Sequence, residues 1–549
     1  MAAASSQGRS GFEHSRGTRD SVGRVSHPER LDGITRATGR EWIGLAVLGL
    51  PCLLYSMDLE VLYLAVPSIA ADLQPSSVQQ LWIFDIYGFL LAGSLITMGT
   101  LGDRFGRRRL LLVGAAGFGV ASVLAAYSRS AEALIASRAL LGVAGATLAP
   151  STLSLIRNMF LDDRQRTFAV SIWATCFSVG AAIGPLVGGV LLEYFWWGSV
   201  FLVAVPIMAL TLLVGPIILP ESRDQRPGRI DLLSAVLSVV AVLAVIYGFK
   251  VVAATGNNRT AALAIALGIV MAVVFVRRQS RLDHPLVELS LFKVPAFTVS
   301  MSVNWLGIFV LAGTFLFITQ YLQLVVGLSP LRAGLCTVPS AVALIAGSLA
   351  APLLGRHARR PFITAIGLLV ATVGCALLAL ASTDIGFPSV IAGSVLLCLG
   401  IAPVITLATD SIVSAAAPER AGSAASLSET SVEMGGSVGI AVLGSVGVLV
   451  YRNLLGDNVA AAVPRQDAAR SLETLGGATD VSSELTGRLG AGLLDAAQSA
   501  FTSGLVVASV GCGVIMTALA IVAVSLQRGQ DADAVEAPGT RARGHDNKV

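Results

Sequence analysis

The stretch GTLGDRFGRRRLLLVG, residues 99–114, crowds four arginines and an aspartate among glycines, with an apolar run on either side. Glycine lets a turn be short and pass close to a neighbouring helix, and clustered basic residues mark the cytoplasmic side of a membrane. The stretch therefore reads as a tight inner turn between two spanning helices. The rest of the chain agrees. Its 549 residues are 54% hydrophobic and 13% charged, with a mean hydropathy of +0.76, far from the balance of a water-soluble domain.

A helix needs about 20 apolar residues to cross the hydrocarbon core. Fourteen runs qualify, near 42–66, 81–101, 110–128, 131–156, 168–192, 198–220, 230–250, 260–276, 298–320, 332–354, 361–382, 388–410, 421–450 and 501–527. With the N-terminus inside, the inner loops 102–109, 157–167, 221–229, 277–297, 355–360 and 411–420 hold eighteen Lys or Arg. The short outer loops 67–80, 128–131, 193–198, 250–259, 321–332 and 383–388 hold four. That asymmetry follows the positive-inside rule and places both termini in the cytoplasm. The net charge of +4 is spread along one membrane face, so no nucleic-acid partner is expected. All six cysteines fall within spans, and no disulfide is expected.

Residues 1–41 and 528–549 read as disordered cytoplasmic tails. Residues 451–500 read as a long polar external loop, in which SSELTGRLGAGLLDAAQSA (482–500) has the pattern of a short amphipathic surface helix. Two internal matches organise the remainder. LGDRFGRRRLLLVG (101–114) follows the second span as LLGRHARRPFITAIG (353–367) follows the tenth. GAAIGPLVGG (180–189) in the fifth aligns with GGSVGIAVLG (435–444) in the thirteenth, so that Gly180, Gly184 and Gly189 match Gly435, Gly439 and Gly444. Both matches are offset by eight helices. The simplest architecture is an N-terminal six-helix half (42–220), an inserted pair of helices with its cytoplasmic linker (221–297), and a C-terminal six-helix half (298–527) that includes the external loop.

These motifs carry a resemblance. GTLGDRFGRRR (99–109) resembles the signature loop of the major facilitator superfamily, RALLGVAGA (138–146) its fourth-helix motif, and GAAIGPLVGG the fifth-helix motif of its antiporting exporters. With MDLEVLYLAVPSIAADL (57–73) and LWIFDIYGFLLAG (81–93), the chain is similar to the fourteen-helix drug:proton antiporter family, most of all to its quaternary-ammonium and dye exporters. It departs at Leu141, where glutamine is common, and at Glu60, where the family often has a small polar residue. The resemblance covers roughly 42–527 and is densest in the first half. It implies an all-α membrane protein of the major facilitator fold, with fourteen helices.

The motifs also have their own physics. Asp103 is placed to accept hydrogen bonds from a helix N-terminus or to pair with an arginine across the two halves. With Gly102, Arg104, Gly106, Arg107 and Arg108 it would form a conformational latch; the alternative is that the arginines only anchor topology. Gly180, Gly184, Gly188 and Gly189 allow close helix approach, and Pro185 removes one backbone hydrogen bond and bends its span.

Acids inside spans almost always face a cavity or a partner. Asp58 lies roughly 24 Å along the first span from Trp42, and Glu60 is turned about 200° from it, so the two cannot face one point. Asp85 enters the second span, Glu429 and Glu433 share a face of the thirteenth, and Asp410 closes the twelfth. A carboxyl that gives up its proton can hold a cation in its place, and antiport needs that exclusion. All six acids are candidates for proton or substrate coupling. All five histidines lie in tails or inner loops, so the coupling falls to carboxylates. Arg138 is the arginine well inside a span, at a depth similar to Asp58 and Asp85, and either acid is its candidate partner. Lipophilic cations stack on aromatic faces, which makes Trp173, Phe177, Trp305 and Phe309 candidates for lining a cavity.

No Walker loop and no metal-spaced His and Cys cluster is present, so neither an enzyme nor a cofactor is expected. The function expected is a proton-coupled antiporter in a bacterial inner membrane, working as a monomer in the bilayer and exporting hydrophobic, mainly cationic compounds by alternating access. The alternatives are a dedicated exporter of one lipid or natural product, and a non-transporting membrane sensor or assembly protein on the same fold.

Overall fold

The computed structural model describes residues 37–221, 231–255, 258–282, 285, 289–382, 386–414, 421–459, 465–485 and 488–536. It is built of helices: α1 (Gly39–Leu73), α2 (Ser77–Phe105), α3 (Arg107–Ala126), α4 (Ala131–Gly145), α5 (Leu148–Met159), α6 (Asp163–Tyr194), α7 (Ser199–Leu202), α8 (Ala204–Ile218), α9 (Leu232–Thr255), α10 (Asn258–Gln279), α11 (Pro295–Gln320), α12 (Pro330–His357), α13 (Arg360–Leu378), α14 (Gly386–Ser414), α15 (Ala421–Val459), α16 (Arg465–Glu473), α17 (Leu475–Glu484) and α18 (Arg488–Glu536). Reciprocal caps start the first two, Thr38 with Glu41 and Ser76 with Gln79. Gly106 alone separates α2 from α3. Its φ of 111° lies where a side chain is strained, which is why the turn inside GTLGDRFGRRR can be one residue long.

Between helices in lipid there is little hydrophobic drive, so close packing must hold them together. The matched glycines supply it. A Cβ on Gly180 would lie 2.3 Å from the Leu53 carbonyl oxygen, and one on Gly184 2.9 Å from Glu60 Cβ. On α15, Gly435 and Gly439 would meet the carbonyl oxygens of Trp305 and Phe309 at 2.6 and 2.2 Å. Helix α6 thus lies on α1 as α15 lies on α11. Gly188 seats on Val61, and Gly189 faces Leu331 of α12.

One apolar core gathers side chains from α1 to α8, among them Leu48, Leu111, Phe118, Leu134, Phe160 and Phe201. A second gathers α11 to α15 with α17 and α18, among them Val310, Leu322, Leu368, Leu397 and Leu505. Helix α9 pairs with α10 and rests on α2 and α15, where Phe89, Ile246 and Ala441 form a cluster of their own.

Several sequence expectations change. Among the described residues, twelve helices are long and apolar enough to cross a membrane, or thirteen if Gly39–Asp58 and Glu60–Leu73, bent by 45°, are one span, against the fourteen runs of the sequence. The expected loop 250–259 begins inside α9, since the apolar Val251 and Val252 let the helix run past Lys250. The segment 451–500, expected as an external loop, is largely helical among its described residues. Its expected surface helix is divided: 482–484 end α17, Thr486 and Gly487 lie outside the described residues, and from Arg488 the chain is already α18, with Leu493, Ala497 and Ala500 buried. Helix α18 also runs to Glu536, into the expected tail, because no proline or glycine pair stops a helix already anchored in its span. Residues 1–36 and 537–549 lie outside the described residues.

Candidate transport site

A cavity of about 400 Å³ lies between the two cores, within the range of roughly 300–1,000 Å³ typical of small-molecule sites. Helix α1 brings Glu60 and Tyr63 to it, α2 Phe84, and α6 Ala181, Ala182 and Pro185. From the other side come Ile308, Leu311, Ala312 and Phe315 of α11, Thr337, Ser340 and Leu344 of α12, and Glu433, Gly436 and Ser437 of α15. The lining is mostly apolar. Its two carboxyls, Glu60 and Glu433, come from opposite cores.

The bend in α1 sorts its acids. Asp58, before the bend, pairs with Arg138 of α4. The arginine is 0% exposed and Asp58 13%. Arg138 also donates from Nε to the Ile83 carbonyl at 3.2 Å and lies 4.4 Å above the Tyr87 ring. Glu60, after the bend, faces the cavity instead. Glu433 accepts a hydrogen bond of 2.5 Å from the Tyr55 hydroxyl, both side chains being buried, so the contact joins α15 to α1.

The remaining acids are elsewhere. Asp85 pairs with Lys250 of α9 at 2.6 Å, both side chains 0% exposed. Asp410 pairs with Arg360 at 2.7 Å in an exposed bridge. Glu429, one turn before Glu433 on α15, is partly buried and does not line the cavity.

Nor do the four expected aromatics line it. Trp173 and Phe177 pack edge to face at 4.8 Å, with Trp173 Nε1 donating to Thr152 Oγ1 at 3.0 Å. Trp305 and Phe309 stack at 5.8 Å, and Phe309 is buried in the second core. Each of these rings packs against its aromatic neighbour; Tyr63, Phe84 and Phe315 take the lining positions.

In the basic turn, Arg104 is exposed beside the Phe105 ring. Arg107 packs its guanidinium on Gly102, where a Cβ would meet its Cδ at 2.9 Å. Arg108 donates to the Leu219 carbonyl at 3.0 Å and its Nε is 3.6 Å from Glu221. Arg108 therefore ties α3 to the end of α8 within one core, and among the described residues it makes no bond across to the other. The side chain of Asp103 lies outside the described residues.

Contacts between the cores gather toward the end of the bundle where α1 hands over to α2 at Gln74. Gln323 donates to the Leu64 carbonyl at 3.1 Å, Gly334 abuts the Pro185 carbonyl, and Gly444 abuts Leu81. Glu473 accepts from the Ser77 backbone and hydroxyl at 2.9 and 2.8 Å and pairs with Arg452 of α15 at 2.7 Å. The cavity lining on α12 runs the other way, to Ser348 and Leu349, toward the Gly106 end.

Two partners of the candidate acids escaped the sequence. Lys250 stands at the edge of an apolar run and reads as loop, although the apolar residues after it were a usable signal. Tyr55 has no charge or periodicity to mark it, and its partner is 378 residues away. Among the described residues no group of His, Cys, Asp and Glu could hold a metal ion.

The sequence pattern of the family described as the Major Facilitator Superfamily matches residues 52–440. The chain is 46% identical to the multidrug efflux pump LfrA of Mycolicibacterium smegmatis over 91% of its own length and 99% of that protein's. It is 34% identical to the methyl viologen resistance protein SmvA of Salmonella typhimurium, over 88% and 97% of the two chains. The fold resembles a bacterial homologue of the human lysosomal transporter Spinster, with a TM-score of 0.63, 16% identity, and 89% and 97% of the chains covered.

Proposed function

The chain belongs to the major facilitator superfamily, among its drug exporters, and on that footing we propose that it exchanges protons for hydrophobic, mainly cationic compounds by alternating access. It is a multi-pass membrane transporter and not an enzyme. The observation that carries the proposal is the pair of carboxyls, Glu60 and Glu433, facing one apolar cavity from opposite cores. An apolar lining favours a lipophilic body, while a carboxylate in low dielectric holds a cation or a proton but gains little from a neutral guest. Two acids suit a dication as well as a monocation.

Asp58 and Asp85 are already neutralised by Arg138 and Lys250, which leaves exchange to the cavity acids. The eighteen basic residues counted in the expected inner loops support a cytoplasmic placing of the Gly106 end, of both termini, and a plasma-membrane location. Read that way, the contacts at the Gln74 end close the external side, and the cavity opens inward, ready to load. Helix α2 would then be a fourteenth span, with α9 and α10 the pair inserted between halves 42–220 and 298–527. A single chain supplies both sides of the cavity, which supports action as a monomer.

The test is ethidium efflux from cells producing wild type, Glu60→Gln or Glu433→Gln at matched membrane amounts, with and without a protonophore. Protonophore-sensitive efflux that both variants lose is the expected result. Efflux that survives in both variants would overturn the assignment of the two acids, and efflux indifferent to the protonophore would overturn proton coupling.

A further inference from the structure

Helix α9 lies across the seam between α2 of the first core and α15 of the second. Its Lys250 is fully buried, with Nζ 2.6 Å from Asp85 Oδ2 and 3.9 Å from the centre of the Trp82 ring. A carboxylate beside an aromatic face is the arrangement that recognises an organic ammonium. Here the ammonium belongs to the chain itself. The apolar Phe89, Ile246 and Ala441 cluster at the seam, a setting in which either buried charge is costly without the other.

We propose that Asp85 and Trp82 form a cation site that the protein fills with its own Lys250, so that Asp85 is a positioning residue docking α9 across the seam and not an acid of the exchange. The assignment of exchange to other acids rests on the function proposed above; the pairing does not. The physical logic is asymmetric. Removing one member of a buried ion pair strands the other charge, whereas removing both leaves only packing to be made good. A site for an ammonium on a side chain should also accept a free ammonium of the same size once the side chain is cut back.

Asp85→Asn and Lys250→Met should each lower ethidium efflux to below about a tenth of wild type, while the double variant returns to within roughly threefold. Melting temperatures of the purified proteins should follow the same order. Protons released on ethidium binding should be equal in wild type and double variant, which a purely structural rescue of a true coupling acid could not achieve. Lys250→Ala should regain efflux with n-propylammonium but not with n-propanol. A double variant as inactive as Asp85→Asn, or one that releases fewer protons, overturns the proposal by making Asp85 a coupling acid. An active double variant without propylammonium rescue of Lys250→Ala overturns the cation site. If wild type releases no protons on binding ethidium, the antiport reading fails separately. The melting cycle then still decides the pairing, since independent losses in the two single variants would refute it.

Discussion

Replacing Tyr55 by phenylalanine removes one oxygen and leaves the ring against Phe177, 5.6 Å away between centroids. The lost bond, 2.5 Å to Glu433, links α1 to α15 across the cavity. With Glu433 ionised, the bond contributes about 1.5–3 kcal/mol, which corresponds to roughly a 10- to 150-fold change in an equilibrium constant. Because the bond belongs to the conformation closed at the Gln74 end, its loss should move the balance toward the other conformation by that factor. A population that begins even would end at least about nine-tenths converted. The assay is a distance distribution between spin labels at positions 105 and 362, both exposed in the native chain and near the Gly106 end, with the native cysteines replaced. Tyr55→Phe should shorten the distance as that end closes, and ethidium efflux should slow because the loading conformation becomes scarce. If the distribution overlays that of wild type, the bond does not hold the two cores and the reasoning fails.

Asp58→Asn should cost about 3–5 kcal/mol of stability by stranding Arg138, seen as a lower melting temperature, with Asp58→Asn/Arg138→Met recovering most of it. Gly439→Val should lower melting and abolish efflux, because its Cβ would lie 2.2 Å from the Phe309 carbonyl, and overpacking costs about 1–3 kcal/mol or more. Gly355→Ala, with nothing within 4 Å of the added carbon, is the control and should match wild type in both measurements. Asp410→Asn should leave efflux within about twofold of wild type, since its partner Arg360 is exposed and such bridges contribute about 1 kcal/mol at most; a larger loss would return Asp410 to the exchange.

Much of this was legible because membrane constraints act residue by residue. Apolar length marks spans, and the matched glycines mark where backbones touch: Gly180 and Gly184 on α1, Gly435 and Gly439 on α11. The 100° step of a helix is enough to send Asp58 and Glu60 to different partners even without the bend. What stayed hidden depends on distant chain segments meeting. Asp58 or Asp85 could each have taken Arg138; the choice was settled by Lys250, 165 positions beyond Asp85, which no local pattern assigns to either acid. The aromatics were misplaced for a related reason. Depth in a span says how buried a ring is, while only packing says whether it faces a void or another ring.

The cavity wall has a further consequence. Besides its two acids it includes five small residues, Ala181, Ala182, Ala312, Ala341 and Gly436, none of which carries charge. Single-base changes that enlarge any of them would reshape the space while leaving the carboxyls untouched. Selection in the presence of a new toxic compound can therefore redraw the list of exported molecules without rebuilding the engine that drives export, and resistance profiles should diverge among strains faster than the energetics of the pump.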